Sequence, residues 1–133
     1  MENRILNDNI QLSLPVNAAY VSSVRLTASS IAYRMGFDID SIEDIKAAVS
    51  EACTFVINKA PASYNTSFVI SFDLKETNIE ILIQLEKGIH ISSDENEMSL
   101  VMINALVDKL EIIQNHNKVN TLKLTKYKKN SSF

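Results

Sequence analysis

The sequence predicts an α+β fold, a two-layer α/β sandwich in which three helices cover one face of a mixed, mainly antiparallel sheet. Three segments carry helix signals and five carry strand signals, in the order β-α-α-β-β-α-β-β. Four of the strand segments form two consecutive pairs joined by short polar turns. Such pairs are typical of hairpins, which is why a mainly antiparallel sheet is expected.

The chain is predicted to begin with a strand and a helix. Apolar and polar residues alternate over 10–14, as in a half-buried strand, and Pro15 ends this pattern. Asn17 is a suitable N-cap for a helix that runs to about Met35. Gly36 follows as the residue that stops the helix.

A second helix is predicted to begin near Ser41. Ser41 and Asp44 have the spacing of a capping box, with Asp in place of the usual Glu, and Pro61 lies just beyond the expected end. One stripe of this helix is apolar and is predicted to face the core: Ile42, Ile45, Val49, Ala52, Cys53, Val56 and Ala60.

The second half of the chain is predicted as two hairpins separated by a third helix. The strand segments are 68–74, 79–85, 110–113 and 119–125. Lys87 and Gly88 are expected to break the second of them. The polar stretch 92–97 suits the start of the helix. Its apolar side is predicted to carry Leu100, Ile103, Leu106 and Val107.

Length and composition indicate one ordinary globular domain, residues 1–133, with 128–133 as a frayed tail. The net charge of -3 makes nucleic acid an unexpected partner. One cysteine allows no internal disulfide, and no apolar run approaches the length of a membrane span, so we expect a cytoplasmic protein that does not enter the membrane. Because His90 and His116 belong to no cluster with zinc spacing, no metal site is predicted.

Three segments resemble one protein family. Residues 20–27 are similar to the first helix, 42–54 to the second helix and 121–127 to the closing strand of the bacterial anti-sigma factors that are also serine kinases. These proteins belong to the superfamily of gyrase, histidine kinases and mismatch-repair ATPases. The resemblance implies the histidine-kinase-like ATPase fold, of the Bergerat type. It also implies homodimerisation, and partner switching between a sigma factor and an anti-sigma-factor antagonist.

The second helix carries the family's glutamate but lacks its metal ligand. The resemblance implies that Glu51 would orient or deprotonate the attacking hydroxyl in an active kinase. Four residues later the family has an asparagine that holds magnesium, and here the residue is Phe55. A phenyl ring offers no oxygen to this cation. Phe55 is therefore expected either to fill the vacated pocket or to contact a partner.

The remaining nucleotide-binding elements are also altered. Glu86-Lys87-Gly88 stands where the family has Asp-x-Gly, although a simple turn at Lys87-Gly88 is the favoured interpretation, and Thr125 matches a threonine that supports adenine binding. The stretch 97–100 lacks the glycines that would cradle phosphate, and nearby carboxylates would repel it. We therefore expect no cofactor, and ATP with magnesium only if the site has been rebuilt around Glu51, Glu86, Gly88 and Thr125.

The first helix is expected to carry the partner surface. Arg25 matches a family arginine that contacts the bound partner, and Tyr20, Val21 and Val24 could complete this patch or form a dimer seam. The leading interpretation is an anti-sigma-factor-like regulator that binds a sigma factor or an antagonist and forms a homodimer. Whether it is an enzyme stays open. The alternatives are an active protein-serine kinase and a non-catalytic subunit that pairs with an active paralogue.

Overall fold

The structure, a computed structural model, describes residues 7–60, 67–89, 97–115 and 118–129. Within these ranges five strands and three helices follow in the predicted order. They are β1 (Asp8–Pro15), α1 (Val21–Met35), α2 (Ile39–Lys59), β2 (Ser67–Leu74), β3 (Asn78–Ile89), α3 (Met98–Leu106), β4 (Lys109–Asn115) and β5 (Lys118–Tyr127). The predicted α+β sandwich is confirmed. None of the described helices has the length and apolar character required to cross a membrane.

The strands form one sheet in the order β1-β2-β3-β5-β4. All four neighbouring pairs are antiparallel, so the described sheet contains no parallel pair and is not mixed. The reason is that consecutive strands of each hairpin pair directly, and β5 then also pairs with β3. This arrangement places β2, β3 and β5 in the interior of the sheet, with β1 and β4 at the edges.

The core lies between the helices and one face of the sheet. Alternate residues of the central strands point towards the helices, and these side chains are almost completely buried: Phe68, Ile70, Phe72, Ile79, Ile81, Ile83, Leu122 and Leu124. Burying each such side chain contributes about 1.5–3 kcal/mol. The opposite face is polar, and there Lys123 forms ion pairs with Glu80 and Glu111 at 3.6 and 3.9 Å.

Helix α1 begins slightly later than predicted. Asn17 caps a single 3-10 turn, accepting a hydrogen bond from the Ala19 backbone N–H at 2.8 Å, and α1 follows from Val21. At the other end Gly36 adopts φ = 90°, the left-handed conformation that favours glycine, which confirms it as the stop.

Helix α2 begins at Ile39, two residues before the predicted start near Ser41. The cap is Asp38, whose Oδ1 accepts a hydrogen bond from the Ser41 backbone N–H at 2.8 Å. This hydrogen bond is the main reason that the pKa of Asp38 lies below its ordinary value. The helix starts earlier because Asp38 has the extended backbone angles of an N-cap and the residues from Ile39 onward are helical.

Two predicted boundaries in the second half are wrong. Lys87 and Gly88 do not break β3, which continues to Ile89 with a register shift after Gln84. The last hairpin is longer than predicted at both strands. Residues 92–96, where α3 was expected to start, lie outside the described residues. Lys128, which the sequence places in a frayed tail, donates a hydrogen bond from Nζ to the Met35 carbonyl oxygen at 3.1 Å.

Candidate functional site

Three residues of α2 form a row that faces the beginning of α3. Glu51, Phe55 and Lys59 are four residues apart, so they lie on one side of the helix in successive turns. Helix α3 starts at Met98 and packs against α2. Phe55, at the position where the resemblance implies a metal-holding asparagine, therefore lies between two helices.

Phe55 is buried in the contact between α2 and α3. Its side chain is only 4% exposed, and the Lys59 Nζ lies 5.6 Å from the centre of the phenyl ring. Lys59 also pairs with the Glu97 carboxylate at 2.6 Å. The pair is largely covered, since the two side chains are 31% and 23% exposed. A lysine and a glutamate thus join α2 to the first turn of α3 above the ring.

Glu51 forms a second link to α3. Its Oε2 accepts a hydrogen bond from the Ser99 hydroxyl at 2.9 Å. The carboxylate is half-buried and also borders a hollow of about 280 Å³ between α1 and α2. Arg25 lines the same hollow. The structure therefore brings together two predicted site residues, Glu51 and Arg25.

The row offers few ligands for a cation. Glu51 contributes one carboxylate, Phe55 contributes no oxygen, and the Glu97 carboxylate is paired with Lys59. Among the described residues no group of three or more His, Cys, Asp or Glu side chains is arranged to hold a metal ion. Asn58 has an amide oxygen that could serve as a ligand, but it is exposed and lies outside the row.

Thr125 does not lie on the same side of the sheet as Glu51. Antiparallel partners share a face, and Thr125 is paired with Glu80 and Lys109, whereas the neighbouring Leu124 is paired with the buried Ile81. Thr125 therefore points away from the helices, although it is buried by its neighbours. Glu86 and Gly88 belong to β3, but their side chains lie outside the described part of the chain.

The predicted partner patch divides into exposed and buried residues. Arg25 is exposed and forms no ion pair with any described residue, and Tyr20 is 40% exposed. Val21 is half-buried and packs against the core. Val24 is fully buried, so the expectation that it contacts a partner is wrong. The reason is helical geometry, since Val24 lies on the same side as the core residue Ala28.

Cys53 is a core residue and not a nucleophile of the site. It is fully buried, and this burial raises the pKa of its thiol to about 12. The thiolate that a nucleophile requires is therefore strongly disfavoured.

Sequence reasoning missed the residues that close the α2–α3 contact. Lys59, Glu97 and Ser99 had no assigned role, and the acidic start of α3 was interpreted only as repulsive towards phosphate. One signal was available, because Lys59 follows Phe55 by four residues and thus extends the Glu51 row. Its pairing with Glu97 connects residues 38 positions apart and required the fold.

Comparisons with known proteins agree with this architecture. Residues 14–126 match the model of the histidine kinase-like ATPase domain. The serine-protein kinase RsbW of Bacillus thuringiensis (strain Al Hakam) is 32% identical over 139 residues, with 90% of this chain and 85% of that protein covered. The same figures hold for the serine-protein kinases RsbW of Bacillus anthracis and Bacillus cereus (strain Q1).

A solved structure shares the fold. The RsbU and RsbW domains of Rv1364c from Mycobacterium tuberculosis superpose with a TM-score of 0.74 at 20% identity, covering 91% of this chain. This chain spans about a third of that longer protein, 32% of its length. The chain therefore belongs to the histidine kinase-like ATPase family and, within it, to the RsbW-type serine-protein kinases.

Proposed function

We propose that this protein is an anti-sigma-factor-like regulator that acts by binding a protein partner through the α1 surface, with its nucleotide site closed. The partner is a sigma factor or an anti-sigma-factor antagonist. The observation that carries the proposal is the state of the Glu51–Phe55–Lys59 row, which is occupied by contacts with α3. Binding, and not phosphoryl transfer, is then the activity, and the protein works as a homodimer.

The closed row supports the loss of the nucleotide site. Magnesium requires several oxygen ligands in octahedral geometry, and at the family's ligand position a buried phenyl ring is present. Opening the row to phosphate would separate Lys59 from Glu97 and uncover the ring. The described residues of this row do not fit a magnesium nucleotide.

The position of Thr125 argues against a rebuilt site. A nucleotide that contacted Glu51 and Thr125 together would have to reach both faces of the sheet, because these residues lie on opposite sides of it. The alternative in which Glu51, Glu86 and Thr125 form a new ATP site therefore receives no support from Thr125. The kinase alternative retains one argument, the activity named in the 32% identical relatives.

The exposed Arg25 supports partner binding. Arg25 forms no ion pair with any residue of the described ranges, so its guanidinium group can pair bidentately with a carboxylate on another protein. The other charged residues that line the hollow are Glu43, Lys46 and Glu51. Glu43 pairs with Lys46 at 3.1 Å, and Glu51 accepts the hydrogen bond of Ser99. Arg25 is thus the cation of this hollow that remains available for a partner.

The test is a binding measurement on Arg25→Glu with purified sigma factors and antagonists encoded in the same genome, titrated one at a time. We expect one of them to bind the unmodified protein, and Arg25→Glu to weaken that binding at least 30-fold, which corresponds to about 2 kcal/mol or more. The melting temperature should stay unchanged. Retained affinity in Arg25→Glu would contradict the proposal.

Arg34→Glu is the matched control. Arg34 is also an exposed arginine of α1, but nine residues of helix place it on the opposite side from Arg25. Reversal of its charge should leave affinity within about threefold. An equal loss in both variants would indicate general electrostatic attraction instead of a defined contact at Arg25.

The third alternative, a non-catalytic subunit that pairs with an active paralogue, makes a different prediction. It requires a mixed dimer with that paralogue and no direct binding of sigma factor or antagonist. Analytical ultracentrifugation of the two purified chains, alone and mixed, separates it from the regulator proposed here.

A further inference from the structure

Helix α3 is apolar on the side that faces solvent as well as on the side that faces the core. Leu100 and Ile103 are buried, whereas Met98, Val101 and Met102 are 69%, 53% and 45% exposed. None of the 9 residues of α3 is charged. A helix that is apolar all round is normally covered on all sides. Within the part of the chain that the structure describes, the outer side of α3 is uncovered.

The strand beside this helix lies at an edge of the sheet. In the described sheet β4 pairs with β5 only, so its other side has backbone N–H and C=O groups that no described strand pairs. Ile112 of β4 is opposite the core residue Leu122, so it points to the helix layer, yet it is 38% exposed. Helix α3 contacts this strand. An uncovered apolar helix and an open sheet edge therefore occur together at one end of the molecule.

The lack of charge on α3 suits contact with a second copy of the same helix. A two-fold contact brings every surface group close to its own copy, so a charged helix would meet like charges. The carboxylates that flank α3 in sequence, Glu97 and Asp108, are both engaged. Glu97 pairs with Lys59, and Asp108 accepts a hydrogen bond from the Tyr127 backbone N–H at 2.7 Å. Two α3 helices can therefore pack together without burying an unpaired charge.

The charges of β4 are complementary to those of a second β4 strand. Lys109 and Glu111 are two positions apart and point away from the helices. Opposite residues of an antiparallel pair share a face, so a two-fold axis perpendicular to the sheet passes through a residue of the strand. An axis through Leu110 places each Lys109 opposite Glu111 of the second copy. An axis through Glu111 places two carboxylates together, and an axis through Ile112 places Glu111 opposite Ile113.

Both charged side chains are accessible for this pairing. Lys109 is exposed and forms no ion pair with a described residue. The Glu111 side chain is 43% exposed and lies 3.9 Å from Lys123, which is closer to Glu80, at 3.6 Å. Charges on an edge strand usually prevent pairing with other chains. Here the order of the two charges favours one partner, the same strand of a second copy.

We infer that α3 and β4 form the interface of the homodimer, with the two β4 strands paired antiparallel about Leu110 and the two α3 helices packed together. The two five-stranded sheets then continue as one sheet. This inference rests on the proposed function, which includes a homodimer, and it assigns the surface that joins the copies. The α1 surface of each copy stays free, so one dimer binds two partner molecules. The second copy also holds α3 over the Glu51–Phe55–Lys59 row.

The experiment is sedimentation of the chain over a concentration series, which gives the dissociation constant of the dimer. Lys109→Glu and Glu111→Lys should each raise this constant about tenfold or more, because each places like charges opposite one another at both contacts. An equimolar mixture of the two variants should dimerise again as a mixed pair. In that pair two carboxylates of one variant face two ammonium groups of the other. A general loss of stability would not recover on mixing.

The helix half of the interface is tested separately. Val101→Ser and Met102→Ser remove exposed apolar side chains of α3 and should each raise the dissociation constant about fivefold. Lys75→Glu reverses an exposed charge in the β2–β3 turn and is the matched control for Lys109→Glu. It should leave the constant within about twofold. All these side chains are at the surface, so thermal melting should confirm that every variant is folded.

The outcomes separate this inference from the proposed function. Lys109→Glu should leave the affinity of each chain for its protein partner unchanged. If Arg25→Glu abolishes partner binding while the β4 and α3 variants leave the dimer intact, the proposed partner surface stands and the inference is wrong. Dissociation of the dimer by Tyr33→Ser on α1, without an effect of Lys109→Glu, would also overturn it. If the mixture of Lys109→Glu and Glu111→Lys recovers but Arg25→Glu keeps full partner affinity, the interface stands and the proposed partner surface is wrong.

Discussion

The two sides of α2 differ in what covers them. On the side towards α3, every residue of the row is engaged. Glu51 accepts a hydrogen bond, Phe55 is buried and Lys59 forms an ion pair. Towards α1, Arg25 and Tyr33 are exposed around open hollows. In this family the first side would hold a nucleotide. Under the proposed function, the contrast is between a nucleotide site closed by its own side chains and a neighbouring surface that stays available for binding.

The largest effect is expected from Phe55→Asn, which restores the family's residue. Replacing the buried ring by a smaller side chain should cost about 3–5 kcal/mol, as for Phe→Ala, and the buried amide would add to this loss. ATP binding should not appear, because α3 still covers the row. Urea denaturation gives the stability, and titration calorimetry gives the nucleotide affinity.

Tyr33→Ala is the control for this substitution, because it removes an aromatic ring of α1 that lies beside the open side of α2. The ring is 75% exposed, so the change in stability should stay within about 0.5 kcal/mol. Similar losses in the two variants would show that the two sides do not differ in packing as described.

A milder substitution, Phe55→Leu, sharpens the role of the ring. Leucine fills most of the same volume, so we expect a loss of about 1–1.5 kcal/mol and a normal fold. Part of this loss is the contact between Lys59 and the ring. A loss as large as that of Phe55→Asn would mean that the aromatic character of the ring, and not its volume, stabilises the contact.

The ion pair above the ring should contribute less. Lys59→Met should lower the free energy of unfolding by about 0.5–1 kcal/mol at low ionic strength, since the pair is only partly exposed, and the effect should shrink in high salt. Lys75→Met, an exposed lysine of the β2–β3 turn, should change stability by less. Equal changes in stability for the two variants would show that the Lys59–Glu97 ion pair makes no specific contribution.

The smallest effect is expected at Ser99. Loss of its hydrogen bond to Glu51 should cost about 0.5 kcal/mol in Ser99→Ala, because water can replace the hydroxyl at a half-buried carboxylate. A double-mutant cycle with Glu51→Ala isolates the pair. A coupling energy indistinguishable from zero would show that this contact does not help to hold α3 against α2.

The sequence predicted the layers of the fold better than the boundaries of its elements. Strand alternation and the Gly36 stop depend on neighbouring residues, and these predictions are confirmed. The Asp38 cap was missed because Ser41 and Asp44 present a competing local signal. Residues 87 and 88 continue β3 through an irregular stretch, since pairing with β5 resumes at Ile89, which is opposite Val119.

The site was predictable to the extent that it lies on one helix. The position of Phe55 on the Glu51 side of α2 followed from helical spacing alone. The cover from Glu97 and Ser99 is formed by α3, and the position of Thr125 on the outer face depends on strand register, so both required the assembled sheet. Val24 was misassigned because sequence adjacency to Arg25 outweighed its helical phase.

The most direct test of the central claim is isothermal titration of the unmodified protein with ATP and with ADP, each with and without magnesium. We predict no heat of binding and no thermal shift at millimolar nucleotide, because α3 covers the row and Phe55 replaces a metal ligand. The proposed partner should bind equally well in the presence and absence of nucleotide. Magnesium-dependent ATP binding at micromolar strength would contradict the claim and restore the kinase interpretation.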